Sequence, residues 1–288
     1  MGWTANDLPS FTGRTVIVTG ANSGLGLVTA RELARVDARV ILACRNVTKG
    51  EEAAAGMAGD VEVRRLDLQD LASVRDFAET VDAVDVLINN AGIMAVPYAI
   101  TKDGFESQIG TNHLGHFALT NLLLPKVTDR VVTVSSVMHY TGRVNLKDLN
   151  WKARPYSAWL AYGQSKLANL LFTGELQRRL TAAGATVKAH AAHPGYSATN
   201  LQGHTGNPIG TPVWMALNKV AGTSPAYGAN PTLYAASMDL PPDTFVGPKF
   251  FARGPIGPVG RSPLARDTGT ARGLWQLSEE LTATEFPL

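Results

Sequence analysis

The chain has 288 residues, is 45% hydrophobic and carries a formal net charge of +2. That is ample apolar material for a core, while the low charge and the lack of long like-charge runs exclude a nucleic-acid surface. A single cysteine, Cys44, excludes an internal disulfide framework and a cysteine-based metal cluster. No stretch approaches the roughly 18 apolar residues of a membrane span, and residues 1–7 lack the basic flank and apolar run of a secretory signal. The expectation is a cytoplasmic protein without membrane anchor, metal or nucleic-acid partner.

Strand-like and helix-like segments alternate from the start. The β-branched run 15–19 predicts a strand, 25–36 an amphipathic helix, 39–43 a second strand and 47–58 an Ala/Glu-rich helix. A strand at 61–66, a helix at 71–80 and a strand at 84–89 follow. A long helical stretch is predicted over 105–125, then a strand at 130–135, a long helix at 158–183 and a strand at 186–192. This alternation predicts an α/β domain built on a parallel sheet with helices on both faces. After His193 proline and glycine become frequent. Helices are expected at 212–220 and 225–238, a strand at 246–251, a Gly/Pro loop at 253–263 and a last helix ending near Leu281. No linker or internal repeat interrupts the chain, so one domain over 1–288 is expected.

Directly after the first strand stands Thr19-Gly20-Ala21-Asn22-Ser23-Gly24-Leu25-Gly26. Glycines there allow a sharp turn and let backbone amides approach a pyrophosphate at the positive end of the next helix. Gly20, Asn22, Ser23, Gly24, Leu25 and Gly26 are therefore candidate cofactor contacts. A dinucleotide site of this kind commonly has a carboxylate about 20 residues beyond the glycines, on the ribose 2′-hydroxyl. Here Arg45 occupies that place, in Ala43-Cys44-Arg45-Asn46, and Lys49 lies one helical turn on. A guanidinium can grip a 2′-phosphate that a carboxylate would repel. NADP(H) is thus expected over NAD(H), which stays possible; the alternative makes Arg45 an ordinary surface residue. Asp67 and Leu68 after the third strand, and Asn90, Ala91 and Gly92 after the fourth, stand at carboxyl strand ends facing the same crevice, where a capping or turn role is the alternative.

Tyr162 and Lys166 stand one turn apart on the predicted long helix, hence on one face. An ammonium near a phenol favours the phenolate and would make the tyrosine a usable acid–base group near neutral pH. Taken together, the Thr-Gly-x-x-x-Gly-x-Gly turn, the Asn-Asn-Ala-Gly segment and the Tyr-x-x-x-Lys pair resemble the short-chain dehydrogenase/reductase family. The likeness runs from Arg14 to the final helix.

The resemblance implies a three-layer, doubly wound sheet of Rossmann type and hydride transfer between NADP(H) and a carbonyl or alcohol substrate. It implies catalytic roles for Ser136, which polarises the substrate oxygen (Ser135 being the alternative), and for Tyr162 as proton donor and acceptor. Lys166 would tune the tyrosine and bind ribose, and Asn112 would be the structural asparagine of a proton relay. Tyr162, Lys166, Pro194, Gly195 and Thr199 join the implied cofactor contacts.

The segment His139–Ala161 between Ser136 and Tyr162, which includes Asn145–Trp151, together with Ala43–Asn46, Thr111–Phe117 and Leu274–Ser278, resembles the retinol dehydrogenase-like and WW-domain oxidoreductase-like branch. Branch likeness alone does not imply a retinoid substrate. A substrate loop is expected at about 196–222, where Trp214, Met215, Leu217 and Val220 form an apolar lid over a hydrophobic substrate or simply pack a short helix. His113, His116, His139, His190 and His193 lack metal-ligand spacing, and His113 and His116 are expected to pack or hydrogen-bond in the core. The resemblance further implies a homodimer or homotetramer through the helices at 105–125 and 158–183. The rival reading is a protein that binds NADP(H) without turnover, as sensor or scaffold; an epimerase or dehydratase on the same fold is a third.

Overall fold

A computed structural model describes residues 2–195 and 224–288. The expected substrate loop at 196–222, the helix at 212–220 and Thr199 lie outside the described residues. Among the described residues the chain forms one α/β domain around an eight-stranded sheet of order β3-β2-β1-β4-β5-β6-β7-β8. The strands are β1 Thr15–Thr19, β2 Arg39–Cys44, β3 Val61–Arg65, β4 Val84–Asn89, β5 Val127–Val134, β6 Lys188–Ala192, β7 Phe245–Phe250 and β8 Arg253–Pro258.

β1 to β7 run parallel and β8 returns antiparallel on β7. That last strand corrects the expected Gly/Pro loop. Pro255 and Pro258 cannot donate to a ladder, but β8 is an edge strand, where proline is tolerated and discourages further pairing.

Helices fill both faces: α1 Gly24–Arg35, α2 Val47–Ala54, α3 Leu71–Glu79, α6 Ala158–Ala182, α7 Pro225–Ser237 and α8 Thr268–Thr282. Asn46 and Asp70 cap the amides of α2 and α3, and Ser224 and Asp267 do so for α7 and α8. The helix predicted over 105–125 is a composite. A short α4 (Ser107–Ile109) passes into a π turn at Gly110–Leu114 and then into α5 (Gly115–Leu123). π turns inside helices often mark functional positions, and this one carries Asn112.

Strand alternation splits the core in two. Ile17, Ile41, Leu87 and Val131 face α3, α5, α6 and α8, whereas Val16, Val18, Val40, Ile88 and Val132 face α1 and α7. α8 lies across α5 and α6. Its Trp275 is 1% exposed, stacks on Phe172 at 5.7 Å and 11°, and meets Phe117 edge-on at 4.9 Å. His113 Nε2 and Ser278 Oγ are 3.0 Å apart beside them. Burying one aromatic of this size contributes on the order of 4–6 kcal/mol. The helical face expected to pair between subunits therefore holds, over this area, a helix of the same chain.

Candidate active site

The sheet order reverses between β1 and β4, and a crevice opens at that switch point beyond the carboxyl ends of the strands. Its floor is the glycine turn. Gly20 has φ +64°, and a Cβ there would sit 3.0 Å from Ala91. At Gly26 a Cβ would come within 2.5 Å of the Gly20 carbonyl oxygen and 2.4 Å of Asn90 Nδ2, so only glycine fits. The cleft has a volume of about 410 Å³. It is lined by Gly20, Asn22–Gly26, Arg45, Asp67, Leu68, Asn90–Gly92, Tyr162, Lys166 and Pro194. Residues drawn from six strand ends, with Val134 and Ser135 supplied by β5, and from α6 thus converge on one space.

Asn90 lines the cleft and also braces the turn. Its amide N–H donates to Thr19 Oγ1 at 2.9 Å, and its Nδ2 donates to the Thr19 carbonyl at 2.8 Å. Ala91 N–H also donates to Thr19 Oγ1, at 2.9 Å. Asp67 Oδ1 accepts from the Gln69 amide at 3.0 Å, which shapes the turn after β3. Arg45 and Lys49 are exposed on the cleft wall, and no carboxylate pairs with either among the described residues. Asn46 stands between them and caps α2 by accepting from the Lys49 amide at 2.9 Å.

The two serines at the end of β5 separate cleanly. Ser135 is 1% exposed, and its hydroxyl donates to the Lys166 carbonyl at 2.7 Å. Ser136 is half-buried, accepts from the Met138 amide at 3.2 Å, and lies near enough to Tyr162 to hydrogen-bond it. Burial pushes the Tyr162 phenol up to about 12, with the Ser136 hydroxyl pulling the other way. Burial also draws the Lys166 ammonium down to about 8. Lys166 Nζ donates to the Val134 carbonyl at 3.0 Å and stands 5.7 Å from the centre of the tyrosine ring. The protein by itself therefore holds Tyr162 as a neutral phenol at physiological pH; the downward pull expected from Lys166 does not outweigh desolvation.

Asn112 stands behind the cleft wall. Its Oδ1 accepts from the Ile93 amide at 2.8 Å, while its Nδ2 donates to the Ile93 carbonyl and to Ser165 Oγ, both at 2.9 Å. Both amide hydrogens and one lone pair of the carbonyl oxygen are thus used, fixing the segment after β4 against α6. Gly92 sits where a Cβ would meet Asn112 Oδ1 at 3.1 Å and Lys166 Nζ at 3.5 Å. Ser136, Asn112 and Gly195 do not line the cleft itself.

Sequence reasoning missed several wall residues, among them Gln69, Ile93 and Thr111. Gln69 Nε2 donates to Thr111 Oγ1 at 3.0 Å and closes one side. It also missed His139, which is 1% exposed and clamps the Ser136 backbone. Its Nδ1–H donates to the Ser136 carbonyl at 2.7 Å, and its Nε2 accepts from the Ser262 amide at 3.1 Å. Only the place of Thr111 beside Asn112, and of His139 beside Ser136, could have signalled them. Among the described residues no group of His, Cys, Asp and Glu is placed to hold a metal, and no helix is long and apolar enough to cross a membrane.

A glycine turn and a helical Tyr–Lys pair line one switch-point cleft beside two strand-end serines, an arrangement suited to nucleotide-dependent oxidoreduction. Residues 14–208 match the short chain dehydrogenase family, and the chain belongs to it, within the retinol dehydrogenase-like branch. It is thus an oxidoreductase of alcohol and carbonyl groups that works with a nicotinamide cofactor. It is 44% identical to human retinol dehydrogenase 13 over 96% of this chain and 86% of that protein. Among solved structures it resembles an uncharacterised protein from Mycobacterium paratuberculosis, with 66% identity, TM-score 0.90 and full coverage of both chains. A protein from Beutenbergia cavernae assigned as an NAD(P)-dependent gluconate 5-dehydrogenase, with NADP bound at low occupancy, is 26% identical. It matches at TM-score 0.58 over 79% of this chain and 91% of that one.

Proposed function

We propose that the protein is an NADP(H)-dependent carbonyl reductase or alcohol dehydrogenase acting on a hydrophobic substrate in the cytoplasm. The observation that carries this reading is that Tyr162 and Lys166 line the same cleft as the glycine turn and Arg45. The residues present fit the cofactor: nothing stands within 4 Å of where a Cβ at Gly24 would lie, so the cleft is open at that point, and the amides opening α1 there suit a pyrophosphate. Arg45, with Lys49 beside it, would take the 2′-phosphate. Pro194, Gly195 and, outside the described residues, Thr199 would border the nicotinamide end.

When bound, the nicotinamide supplies or accepts the hydride. This chain's residues handle the proton and the charge. Tyr162, held protonated by burial, donates its phenolic proton to the carbonyl oxygen during reduction. The Ser136 hydroxyl donates to the same oxygen and stabilises its developing charge. Lys166 Nζ places a cation beside the tyrosine and the ribose position. It favours the phenolate left after proton transfer. Asn112 holds Ile93 and Ser165 in register around that pair. Ser135, spent on the Lys166 carbonyl, is not offered to the substrate.

The test follows NADPH absorbance with a panel of hydrophobic aldehydes and ketones, retinal among them because of the branch. The expected result is NADPH-dependent turnover that Tyr162→Phe abolishes while NADPH binding persists. Turnover retained in Tyr162→Phe would remove the tyrosine from the reaction, and NADPH binding without turnover on any substrate would favour the sensor.

A further inference from the structure

His116 lies one helical turn beyond Asn112, at the start of α5, and is 1% exposed. Its Nδ1 is 3.1 Å from the Asn112 carbonyl oxygen, and its Nε2 is 2.9 Å from Thr19 Oγ1. A carbonyl oxygen only accepts, so Nδ1 carries the hydrogen, and in the neutral ring Nε2 is then an acceptor. Thr19 completes the count. Its hydroxyl oxygen accepts the amides of Asn90 and Ala91, using both lone pairs. Its one proton is left for Nε2 at 2.9 Å or for the Ile88 carbonyl at 3.3 Å, and the shorter contact goes to His116. Burial pulls the imidazolium well below its usual range, to about 4, so the ring is neutral across physiological pH.

These bonds form one unbroken path. Thr19 immediately precedes the glycine turn and organises Asn90 and Ala91 against it. Asn112 fixes Ile93 on one side and, through Ser165, the Tyr162 turn of α6 on the other: Ser165 Oγ donates to the Tyr162 carbonyl at 2.8 Å. His116 is the only side chain among the described hydrogen bonds that touches both Thr19 and Asn112. Buried networks with every member satisfied hold a single geometry, and loss of one member is felt by the others.

We infer that His116 is a positioning residue that couples the nucleotide-binding glycine turn to the π turn carrying Asn112, and so sets the cofactor and the Tyr162–Lys166 pair in register. This rests on the nucleotide reading proposed above. The two ring nitrogens have different duties. The Nε2 side governs how the turn receives the nucleotide, and the Nδ1 side governs the geometry of the reacting pair.

Substitutions that keep one nitrogen's role and drop the other read these duties separately. His116→Asn retains an amide donor near the Nδ1 position and loses the acceptor for Thr19. It is expected to raise KM for NADPH about tenfold while lowering kcat less than threefold. His116→Gln can reach Thr19 but leaves the Asn112 carbonyl without its donor. It is expected to lower kcat about tenfold with KM for NADPH changed less than threefold. Thr19→Val removes the same bond together with those from the Asn90 and Ala91 amides, so it should raise KM for NADPH at least as much. Adding His116→Asn to it should change KM less than a further twofold, because the bond His116→Asn breaks is already gone.

Thermal melts of each variant accompany the kinetics. If all variants lose stability while KM and kcat per folded molecule are unchanged, or if Thr19→Val and His116→Asn multiply, His116 is only a core residue and the coupling is wrong. A wild-type chain that binds neither NADPH nor NADH would instead overturn the nucleotide reading, and the coupling with it.

Discussion

The Ser135 hydroxyl donates a 2.7 Å hydrogen bond to the backbone carbonyl of Lys166, tying the end of β5 to the helix that carries Tyr162. Its neighbour Ser136 turns toward the tyrosine instead. Two adjacent serines of the same chemistry thus have separable effects. Ser136→Ala should lower kcat about a hundredfold, the usual cost of losing one donor to a developing oxyanion, and leave the melting temperature nearly unchanged. Ser135→Ala should destabilise the fold by about 0.5–1.5 kcal/mol, the net value of one buried hydrogen bond to a carbonyl that lies inside α6, with activity per folded molecule retained. The reverse pattern would move the polarising role to Ser135.

Arg45 and Lys49 make a positive wall where a carboxylate would select NAD(H). Arg45→Ala is expected to weaken NADPH about tenfold, or about 1.4 kcal/mol, the modest value reflecting an exposed site. NADH affinity should change little. Isothermal titration with both cofactors measures the ratio, and equal losses for the two would show that Arg45 does not sense the 2′-phosphate.

Acid should destabilise the protein early. Burial holds His113 at about 3 and His116, His190 and His193 at about 4. In the unfolded chain a histidine titrates near 6.5. Between those limits the unfolded state binds protons the folded state refuses, so stability is full above about pH 6.5 and falls as pH drops toward 4. Each such histidine removes about 2 kcal/mol by pH 5. Denaturant melts from pH 7.5 to 5 should show a steep fall, and a flat profile would mean these rings protonate in place.

Trp275 closes the core between Phe117 and Phe172. Trp275→Ala should cost about 3–5 kcal/mol and expose an apolar face on α5 and α6. With that face covered, light scattering of the wild type should give no self-association through these helices; a dimer lost on substituting exposed residues of α6, such as Leu160 or Arg178, would contradict it.

Much of the site was legible because its parts are local. The turn at Gly20–Gly26 and the pair on α6 each sit in a strand–turn–helix context that spacing alone reveals, and Arg45 is found by its distance from Gly26. What was hidden depends on neighbours in space. Residues 107–123 mix glycines and polar residues with apolar ones on both sides of the π turn at Gly110–Leu114, so no change of pattern marks where it begins or ends. β8 was concealed by Pro255, Pro258 and its glycines, which count against a strand everywhere except at an edge. The split between Ser135 and Ser136 follows the alternation of side chains at a strand end, and no residue identity encodes it. The satisfied tautomers of His116 and His139 become visible only when their partners, far apart in sequence, are brought together.

The seating of α8 also sets an order of events during synthesis. Phe117 and Phe172 leave the ribosome long before Trp275, the residue that covers them. The glycine turn, β1 to β5 and α6 can assemble while that aromatic surface is still bare, and the nascent chain carries a greasy stripe until its final helix is made. Chaperone dependence should therefore concentrate in this late interval, and ribosome-stalled chains ending before residue 268 should be far more aggregation-prone than chains ending only a few turns later.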